Sequence, residues 1–467
     1  MTLHWHRRDL RVRDNPGLAS ATAAPEDGVV PVFVLDDAVL ETAAPPRLAF
    51  MLEALDALRG AYRSRGSDLL VRSGDPAEVL PAVAAEVGAT RVTWGEDYSG
   101  LARERDRRVR EGLAARGIAA QTVHDAVCQP PGSITTADGD PYQVFTYYGR
   151  KWHDRPVEAP VDAPASDALA AVDGGAIPTL SDLGFPAPET SIPAGSGAAA
   201  RDRLAAFCDG PIYRYAEDRD YPGREGTSRL SPHLKFGTVG VRRVHEATET
   251  ALAAAPDEAA RDGVRAFQDQ LAWRDFYAQV LWDRPDTVRA NYREFERPVA
   301  WRSDPEGLRA WKDGETGFPF VDAGMRQLRA EAWMHNRVRM VVASFLTKDL
   351  LVDWREGYQW FRERLVDHDT ANDVGGWQWA ASTGTDAQPY FRVFNPMTQG
   401  ERFDPEAAYI REYVPELRDV PAAVVHAWDD LEAGERETHA PGYPAPILDH
   451  GKRREQAIAM FERARGD

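Results

Sequence analysis

The chain has 467 residues, 43% hydrophobic and 28% charged, a length that exceeds one hydrophobic core and predicts two domains. It contains no apolar run near the length that a bilayer requires and no secretory signal, so a membrane protein is excluded and a cytoplasmic location is expected. The formal charge of -18, with five lysines among 56 basic residues, predicts an acidic, halophile-like surface on which nucleic acid binds only at a local basic patch.

Residues 1–126 alternate between strand-like and helix-like segments. The strand-like segments are LHWHR, VVPVFVLDD, LLVRS, RVTWG and AAQTVHD. Between them, Arg47 to Arg65, Pro76 to Val87 and Leu101 to Arg116 carry apolar residues at helical spacing. This order predicts an α/β domain with a doubly wound, Rossmann-like parallel sheet and helices on both faces. No GxGxxG follows a strand, so the ordinary dinucleotide fingerprint is absent.

The chain beyond this domain falls into two parts. Residues 127–197 are rich in Pro, Gly, Ala and Asp, which is poor material for a core, so we expect an interdomain linker. Residues 198–467 show helical periodicity with many aromatic residues, as in FQDQLAWRDFYAQVLW, and predict an all-α domain. The two cysteines lie in no metal-binding motif, so no metal is expected.

The first motif of the helical part is EGTSRLSPHLKFG, residues 225–237. Its small hydroxyl residues Thr227, Ser228 and Ser231 could cap a helix, and with Arg229 they suit the phosphates of a nucleotide. Alone, the motif indicates a simple helix cap at least as well as a nucleotide site.

Longer motifs follow in order. The runs TSRLSP, WRDFY, WMHNRVRM, KDLLVDW and GGWQW resemble class I cyclobutane pyrimidine dimer photolyases, within the photolyase and cryptochrome family. The resemblance covers nearly the whole chain, including HWHRRDLRVRDNP near its start. It implies an α/β antenna domain joined to a helical domain that holds a U-shaped FAD. The positions implied to contact FAD are Tyr215, Thr227, Ser228, Arg229, Leu230, Ser231, Phe267, Gln270, Arg274, Asn336, Arg339, Asp367, Asp369 and Asp373.

The resemblance implies roles for three tryptophans. Trp377, Trp354 and Trp301 match the residues that relay electrons to photoexcited flavin in the family. The indole side chain is easily oxidised. Electron transfer along three tryptophans moves the positive charge that is left behind away from the flavin. Core packing is the competing explanation for any one of the 13 tryptophans.

A DNA lesion site is implied as well, because photolyases take the damaged bases out of the duplex. Trp273 and Trp379 match the aromatic walls of the lesion pocket, and Asn336, Arg337 and Met340 match other residues that line it. Arg219, Arg274, Arg337 and Arg392 are candidates for contacts to nearby phosphates.

The implied activity is light-driven repair of ultraviolet-damaged DNA by a carbon–carbon lyase that we expect to be a monomer. Excited FADH⁻ passes one electron to the dimer, the cyclobutane bonds split, and the electron returns. The protein supplies binding and orientation while the flavin performs the chemistry.

Asp373 departs from the photolyase pattern. Photolyases usually carry an asparagine there, facing flavin N5, whereas plant cryptochromes carry an aspartate. An uncharged aspartic acid beside the flavin could donate a proton to N5, which indicates a blue-light photoreceptor as the alternative function. Against that alternative, the chain ends soon after HGKRREQAIAMFERAR, without the extension of signalling cryptochromes, and we therefore expect repair.

Two further positions depart from the pattern on the same helix. Gln270 stands where photolyases usually place a glutamate that hydrogen-bonds the dimer, and an amide lacks the ionisable group. Repair is therefore expected to be weakened. Phe267 replaces a tryptophan one turn earlier, which we interpret as packing within the pocket.

The antenna chromophore is the last expectation. Folate-binding relatives carry an Asn-Glu pair where this chain has Leu101 and Ala102, whereas Arg47, Asp97 and Lys235 match the deazaflavin binders. We therefore expect 8-hydroxy-5-deazaflavin rather than a folate.

Overall fold

A computed structural model describes residues 1–23 and 28–466. Its N-terminal part contains one sheet of five parallel strands in the order β3-β2-β1-β4-β5. The strands are β1 (Thr2–His6), β2 (Val29–Leu35), β3 (Leu70–Ser73), β4 (Arg91–Gly95) and β5 (Ala119–Val123). The accompanying helices are α1 (Pro16–Thr22), α2 (Asp37–Leu40), α3 (Pro45–Arg63), α4 (Pro76–Glu86) and α5 (Gly100–Ala114). The predicted doubly wound domain is confirmed.

Side chains alternate between two cores across this sheet, as the two-residue period of a strand requires. Leu3 and Trp5 of β1 join the core under α4 and α5. Val29 and Phe33 of β2 join the opposite core, which contains α3 and extends to Trp333 of the helical part. The second core therefore joins the two domains.

The sheet order creates a crevice at its carboxyl edge. From central β1 the chain moves to β2 on one side, and later returns to β4 on the other. In parallel α/β sheets, ligands bind outside the strand ends at such a switch point. The residues that follow β1, β2 and β4, such as Arg7, Asp36 and Asp97, line a cavity at this edge.

The expected linker is more ordered than its composition suggested. Residues 145–153 form helix α6 (Phe145–His153), whose Tyr148 and Trp152 are buried. The Trp152 Nε1 donates a hydrogen bond of 2.8 Å to Asp275 Oδ2, which also accepts from the backbone N–H of Cys128. Proline and glycine in the flanking sequence concealed this short amphipathic helix, which packs on the helical domain.

The C-terminal part is helical, as predicted. Its helices are α7 (Gly197–Cys208), α8 (Tyr215–Asp218), α9 (Ser231–Phe236), α10 (Val241–Ala254), α11 (Glu258–Asp283), α12 (Pro305–Asp313), α13 (Pro319–Glu331), α14 (Asn336–Ser344), α15 (Trp354–Arg364), α16 (Thr370–Ala380), α17 (Pro396–Phe403), α18 (Ala408–Tyr413), α19 (Ala422–Val425), α20 (Ala433–His439) and α21 (His450–Arg465). Helices α11, α14 and α16 surround a central cavity. Across residues 1–23 and 28–466, no helix is both long and apolar enough to cross a membrane.

Candidate functional site

The central cavity has a volume of about 540 Å³, within the usual range for cofactor and ligand pockets. Every position predicted to contact FAD lies on its wall, although these residues come from five separate segments of the helical domain. The predicted lesion residues Arg219, Trp273, Arg337, Met340 and Trp379 line the same cavity. The fold therefore brings the two predicted sites together in one space.

The hydroxyl-rich segment before α9 lies along one wall. Leu230 is the N-cap residue of α9 and makes no side-chain cap, so the expected capping role of these hydroxyls is wrong. The Ser228 Oγ instead accepts a bond of 3.3 Å from the N–H of Leu230, and the Ser231 Oγ accepts from Trp333 Nε1 at 3.2 Å. Arg229 lies 4.3 Å from the centre of the Trp333 ring. Sequence reasoning missed Trp333, which positions both Ser231 and Arg229.

An ion pair also lines the cavity. The Arg339 Nη2 lies 2.8 and 3.0 Å from the two carboxylate oxygens of Asp367. The Arg339 Nε also donates to the carbonyl oxygen of Met334 at 2.8 Å, which fixes the guanidinium. The predicted ion pair is present, with Asp367 nearly buried.

Asp369 caps helix α16 beside this pair. Its Oδ1 accepts hydrogen bonds from the backbone N–H and the side-chain amide of Asn372. Burial alone would raise the pKa of Asp369, but the charges of Arg8, Lys235 and Arg274 outweigh it and hold that pKa well below its usual range. Asp369 is therefore a fixed negative charge.

Asp373 has polar contacts that the sequence did not reveal. Its Oδ2 lies 2.5 Å from Nδ1 of His368 and accepts from the backbone N–H of Asp369 at 3.2 Å. Its Oδ1 lies 3.8 Å from Arg339 Nη1. Sequence reasoning considered Asp373 against the flavin alone and missed His368, which no motif had marked.

The three tryptophans that we predict to relay electrons differ in burial and in whether they line the cavity. Trp377 lines the cavity and is buried, and its Nε1 has no hydrogen-bond partner among the described residues. Trp354 is fully buried at the start of α15, and its Nε1 donates to Asn291 Oδ1 at 3.0 Å. Gly357, one turn further along α15, lies against the Trp377 ring. Trp301 is only partly buried and packs on Phe461.

The predicted stacking residue Trp273 is held from behind. The Phe145 ring of α6 stacks on it with centroids 3.8 Å apart and planes at 11°. The Phe145 N–H donates to Asp386 Oδ2 at 3.1 Å, which ties α6 to the loop after Trp379. The segment expected to be a linker therefore packs against the residue that we predict to stack on the lesion.

The arginines predicted to contact DNA phosphates separate into two groups. Arg337 lies on the cavity wall with its Nη2 2.8 Å from Asp220 Oδ2, and Arg219 lies over Tyr215. Arg392 is exposed and is not among the residues that line the cavity. Six basic and four acidic side chains line the cavity, so its wall is locally basic in a chain with a charge of -18.

Gln270 and Phe267 lie one turn apart on α11. The Gln270 Nε2 donates to the carbonyl oxygen of Ala266 at 3.0 Å, within its own helix. Phe267 is buried 5.3 Å from the Tyr215 ring, in agreement with a packing role.

The crevice at the sheet edge is a second cavity of about 230 Å³, which we call the interdomain cavity because α3, α9 and α15 also line it. Arg47, Asp97 and Lys235 all lie on its wall, as predicted. Burial lowers the pKa of Lys235 to about 8 and that of Arg47 to about 10. The Arg47 guanidinium donates to the backbone carbonyls of Leu365 and Thr42, so part of its hydrogen-bonding capacity is already used.

The two cavities share a wall. Four residues line both: Lys235, Arg274, Asp369 and Asn372. The Arg274 guanidinium donates hydrogen bonds to the carbonyl oxygens of Ala126 and Leu234. These N–H groups are therefore already bonded, although we predicted that Arg274 contacts FAD or a DNA phosphate. Arg8 pairs with Asp97, which lines the interdomain cavity, and with Asp369, which lines both cavities.

One group of potential metal ligands lies at the end of β1, consisting of His4, His6 and Asp9, all buried. The His4 ring nitrogens lie within hydrogen-bond distance of Thr93 and Asp9, and those of His6 within reach of Tyr62 and the Asp9 carbonyl. Each ring nitrogen thus already has a partner, and the group functions as a buried hydrogen-bond network.

Comparisons with known families match both parts of the chain. Residues 2–165 match the family described as DNA photolyase, and residues 267–463 match the family described as FAD binding domain of DNA photolyase. The first match ends within the segment that we expected to be a linker, and residues 166–266 lie between the two matches.

Individual relatives match over the full length. A deoxyribodipyrimidine photo-lyase of Halobacterium salinarum is 61% identical, with 100% of both chains covered. The crystal structure of a bacterial class III photolyase from Agrobacterium tumefaciens superposes with a TM-score of 0.91 at 33% identity, covering 100% of this chain and 98% of that one. An archaeal photolyase from Sulfolobus tokodaii, solved with two FAD molecules, gives 0.84 at 30% identity, with 99% of each chain covered.

Proposed function

The chain belongs to the DNA photolyase family, and from that premise we propose that it splits cyclobutane pyrimidine dimers in a light-driven, FAD-dependent reaction. It is an enzyme of the deoxyribodipyrimidine photo-lyase type, and FAD is its cofactor. The observation that carries the proposal is the single cavity in which the FAD positions and the lesion positions meet, because electron transfer needs the two reactants side by side.

The cavity wall fits a flavin nucleotide. Thr227, Ser228, Ser231 and Arg229 line the cavity before and at the start of α9, and their hydroxyl and guanidinium groups are donors of the kind that bind phosphates. The Arg339–Asp367 pair and Asp373, which also line the cavity, offer the polar edge that a flavin ring requires. When bound, FAD in its reduced form supplies the electron that opens the cyclobutane ring.

The residues of the chain hold the dimer for that reaction. We assign dimer stacking to Trp273, which Phe145 supports, and to Trp379, which lines the same cavity. Arg337 and Arg219 provide positive charge for the flanking phosphates. The Nε2 of Gln270 donates a hydrogen bond within its own helix, so the side-chain carbonyl oxygen is the atom that contacts the dimer.

The experiment is direct repair of a defined substrate. FAD-loaded, reduced protein is mixed with an oligonucleotide that carries one dimer and is illuminated, with a dark sample and a Trp273→Ala variant as controls. The proposal expects loss of dimers under illumination and none in the dark, with a smaller loss in the variant than in the wild type. No loss above the dark control would refute it.

A second function, blue-light reception, is supported by Asp373 and its contact with His368. In that case Asp373 donates a proton to the bound flavin after photoreduction. Asp373→Asn would then suppress proton uptake by the flavin, which absorbance after illumination measures. Equal uptake in wild type and variant would refute this role.

For the interdomain cavity we propose an antenna chromophore with a planar tricyclic ring, 8-hydroxy-5-deazaflavin in preference to a folate. The support is the position of Arg47, Asp97 and Lys235 on its wall. Titration of the purified protein with 8-hydroxy-5-deazaflavin, FAD and a reduced folate, followed by fluorescence, tests the order. Tightest binding of the folate would refute the proposal.

The expected monomeric state and cytoplasmic location stay predictions. Light scattering of the purified protein tests the first, and fractionation of cells tests the second.

A further inference from the structure

The pair formed by His368 and Asp373 links the two cavities. Asp373 lines the central cavity, and His368 lines the interdomain cavity. Both side chains are nearly buried, and Nδ1 of His368 lies 2.5 Å from Oδ2 of Asp373. This hydrogen-bonded pair therefore forms a short path from one cavity to the other.

The surroundings of His368 favour its neutral form. Burial lowers its pKa, and the nearby charges of Arg47 and Lys235 act in the same direction, opposed by the carboxylate of Asp373. The Tyr358 ring packs 5.6 Å away. The other charged side chains close to it are Arg362 and Asp369 on the interdomain wall and Asp367 in the adjoining turn.

A neutral imidazole can both give and accept a proton. With its Nδ1–H donated to a carboxylate, the ring has Nε2 available as an acceptor. Since His368 lines the interdomain cavity, water there is the source from which Nε2 can be protonated.

We propose that His368 is the proton relay that supplies Asp373, so that protons reach the flavin cavity from the interdomain cavity. This inference rests on the proposed function, because it takes Asp373 to face the flavin. After electron uptake by the bound flavin, the Nδ1 proton of His368 would move to the carboxylate of Asp373 and from there to N5, so that Asp373 ends as a carboxylate again. Water would give one proton to His368 Nε2, leaving a hydroxide that the buffer neutralises. The electron comes from a thiol in solution.

The test measures proton uptake and needs no DNA. After a light flash, the absorbance of the FAD-loaded, oxidised protein is followed in the presence of the thiol, in water and in deuterium oxide. His368→Asn keeps a donor to Asp373 and cannot relay, and His368→Gly leaves a space for free imidazole. His245→Asn is the matched control, because burial also lowers the pKa of His245 and that residue lines neither cavity.

The relay predicts that His368→Asn slows protonation of the reduced flavin about tenfold. It also predicts that imidazole restores the rate in His368→Gly, and that His245→Asn protonates at the wild-type rate. Protonation at the wild-type rate in both His368 variants, no rescue by imidazole, or no proton uptake in the wild type would each overturn it.

Failure of the relay is distinguishable from failure of the repair function. Dimer splitting is measured separately with the same wild-type preparation. A wild type that takes up protons through His368 and splits no dimers overturns repair alone. A wild type that splits dimers while the His368 variants protonate normally overturns the relay alone.

Discussion

Replacing Gly357 by alanine tests whether helix α15 holds Trp377 in place. A Cβ at this position would lie 2.0 Å from the Trp377 Cη2 and 2.6 Å from a Leu346 methyl carbon, whereas ordinary contacts begin near 3.4 Å. The indole must therefore move by more than 1 Å. Overpacking of this kind costs about 1–3 kcal/mol, and the better helix propensity of alanine returns about 0.5–1 kcal/mol. We expect a net loss of about 1–2 kcal/mol.

Denaturant unfolding, followed by tryptophan fluorescence, measures the stability of the Gly357→Ala variant, and photoreduction of the bound flavin measures the electron path. The control is Gly60→Ala in α3, where an added Cβ meets nothing within 4 Å. We expect this control to be as stable as the wild type or slightly more stable. A Gly357→Ala protein with wild-type stability and photoreduction would refute the close packing of Trp377 on α15.

The other predictions concern charge, repair and electron supply. Burial alone would raise the pKa of Asp97, but Arg8, Arg7 and Lys235 outweigh it and hold that pKa at about 2, below the ordinary 3.8. Asp97 therefore stabilises the fold above pH 4 and loses that contribution as the pH falls towards 2. Asp97→Asn should cost about 2 kcal/mol at pH 7 and less at pH 3, as measured by urea unfolding. Gln270→Glu should raise the number of dimers split per photon, and an unchanged yield would exclude a direct role. Trp354→Phe should slow flavin photoreduction about tenfold, measured by absorbance under constant light, if Trp354 carries the electron.

The sequence predicted the architecture because both domains have regular patterns. Short strand-like runs between helix-like segments marked β1 to β5, and 3.6-residue spacing marked the long helix α11. Helix α6 was missed because the Pro- and Gly-rich composition around it outweighed a nine-residue amphipathic segment. Its function, support of Trp273 by Phe145, depends on a contact between residues 128 positions apart that no local pattern records.

The site could be predicted only as far as motifs reached. The family motifs predicted that Ser228, Arg339 and Asp373 share one site, and all three line one cavity, although periodicity alone could not have brought them together. Contacts that no family motif includes, such as the one between His368 and Asp373, depend on side-chain geometry, which the sequence does not reveal. Arg392 was predicted to contact a DNA phosphate, yet it is not among the residues that line the cavity. A position that matches the family does not by itself place a side chain in the site.

The most direct measurement is single-flash repair by the same protein in two forms, one loaded with reduced FAD and one stripped of FAD. The account predicts that a flash restores intact pyrimidines in a dimer-bearing oligonucleotide only with the loaded form, and that adding FAD to the stripped form returns the activity. Equal repair by both forms, or none by either, would contradict it.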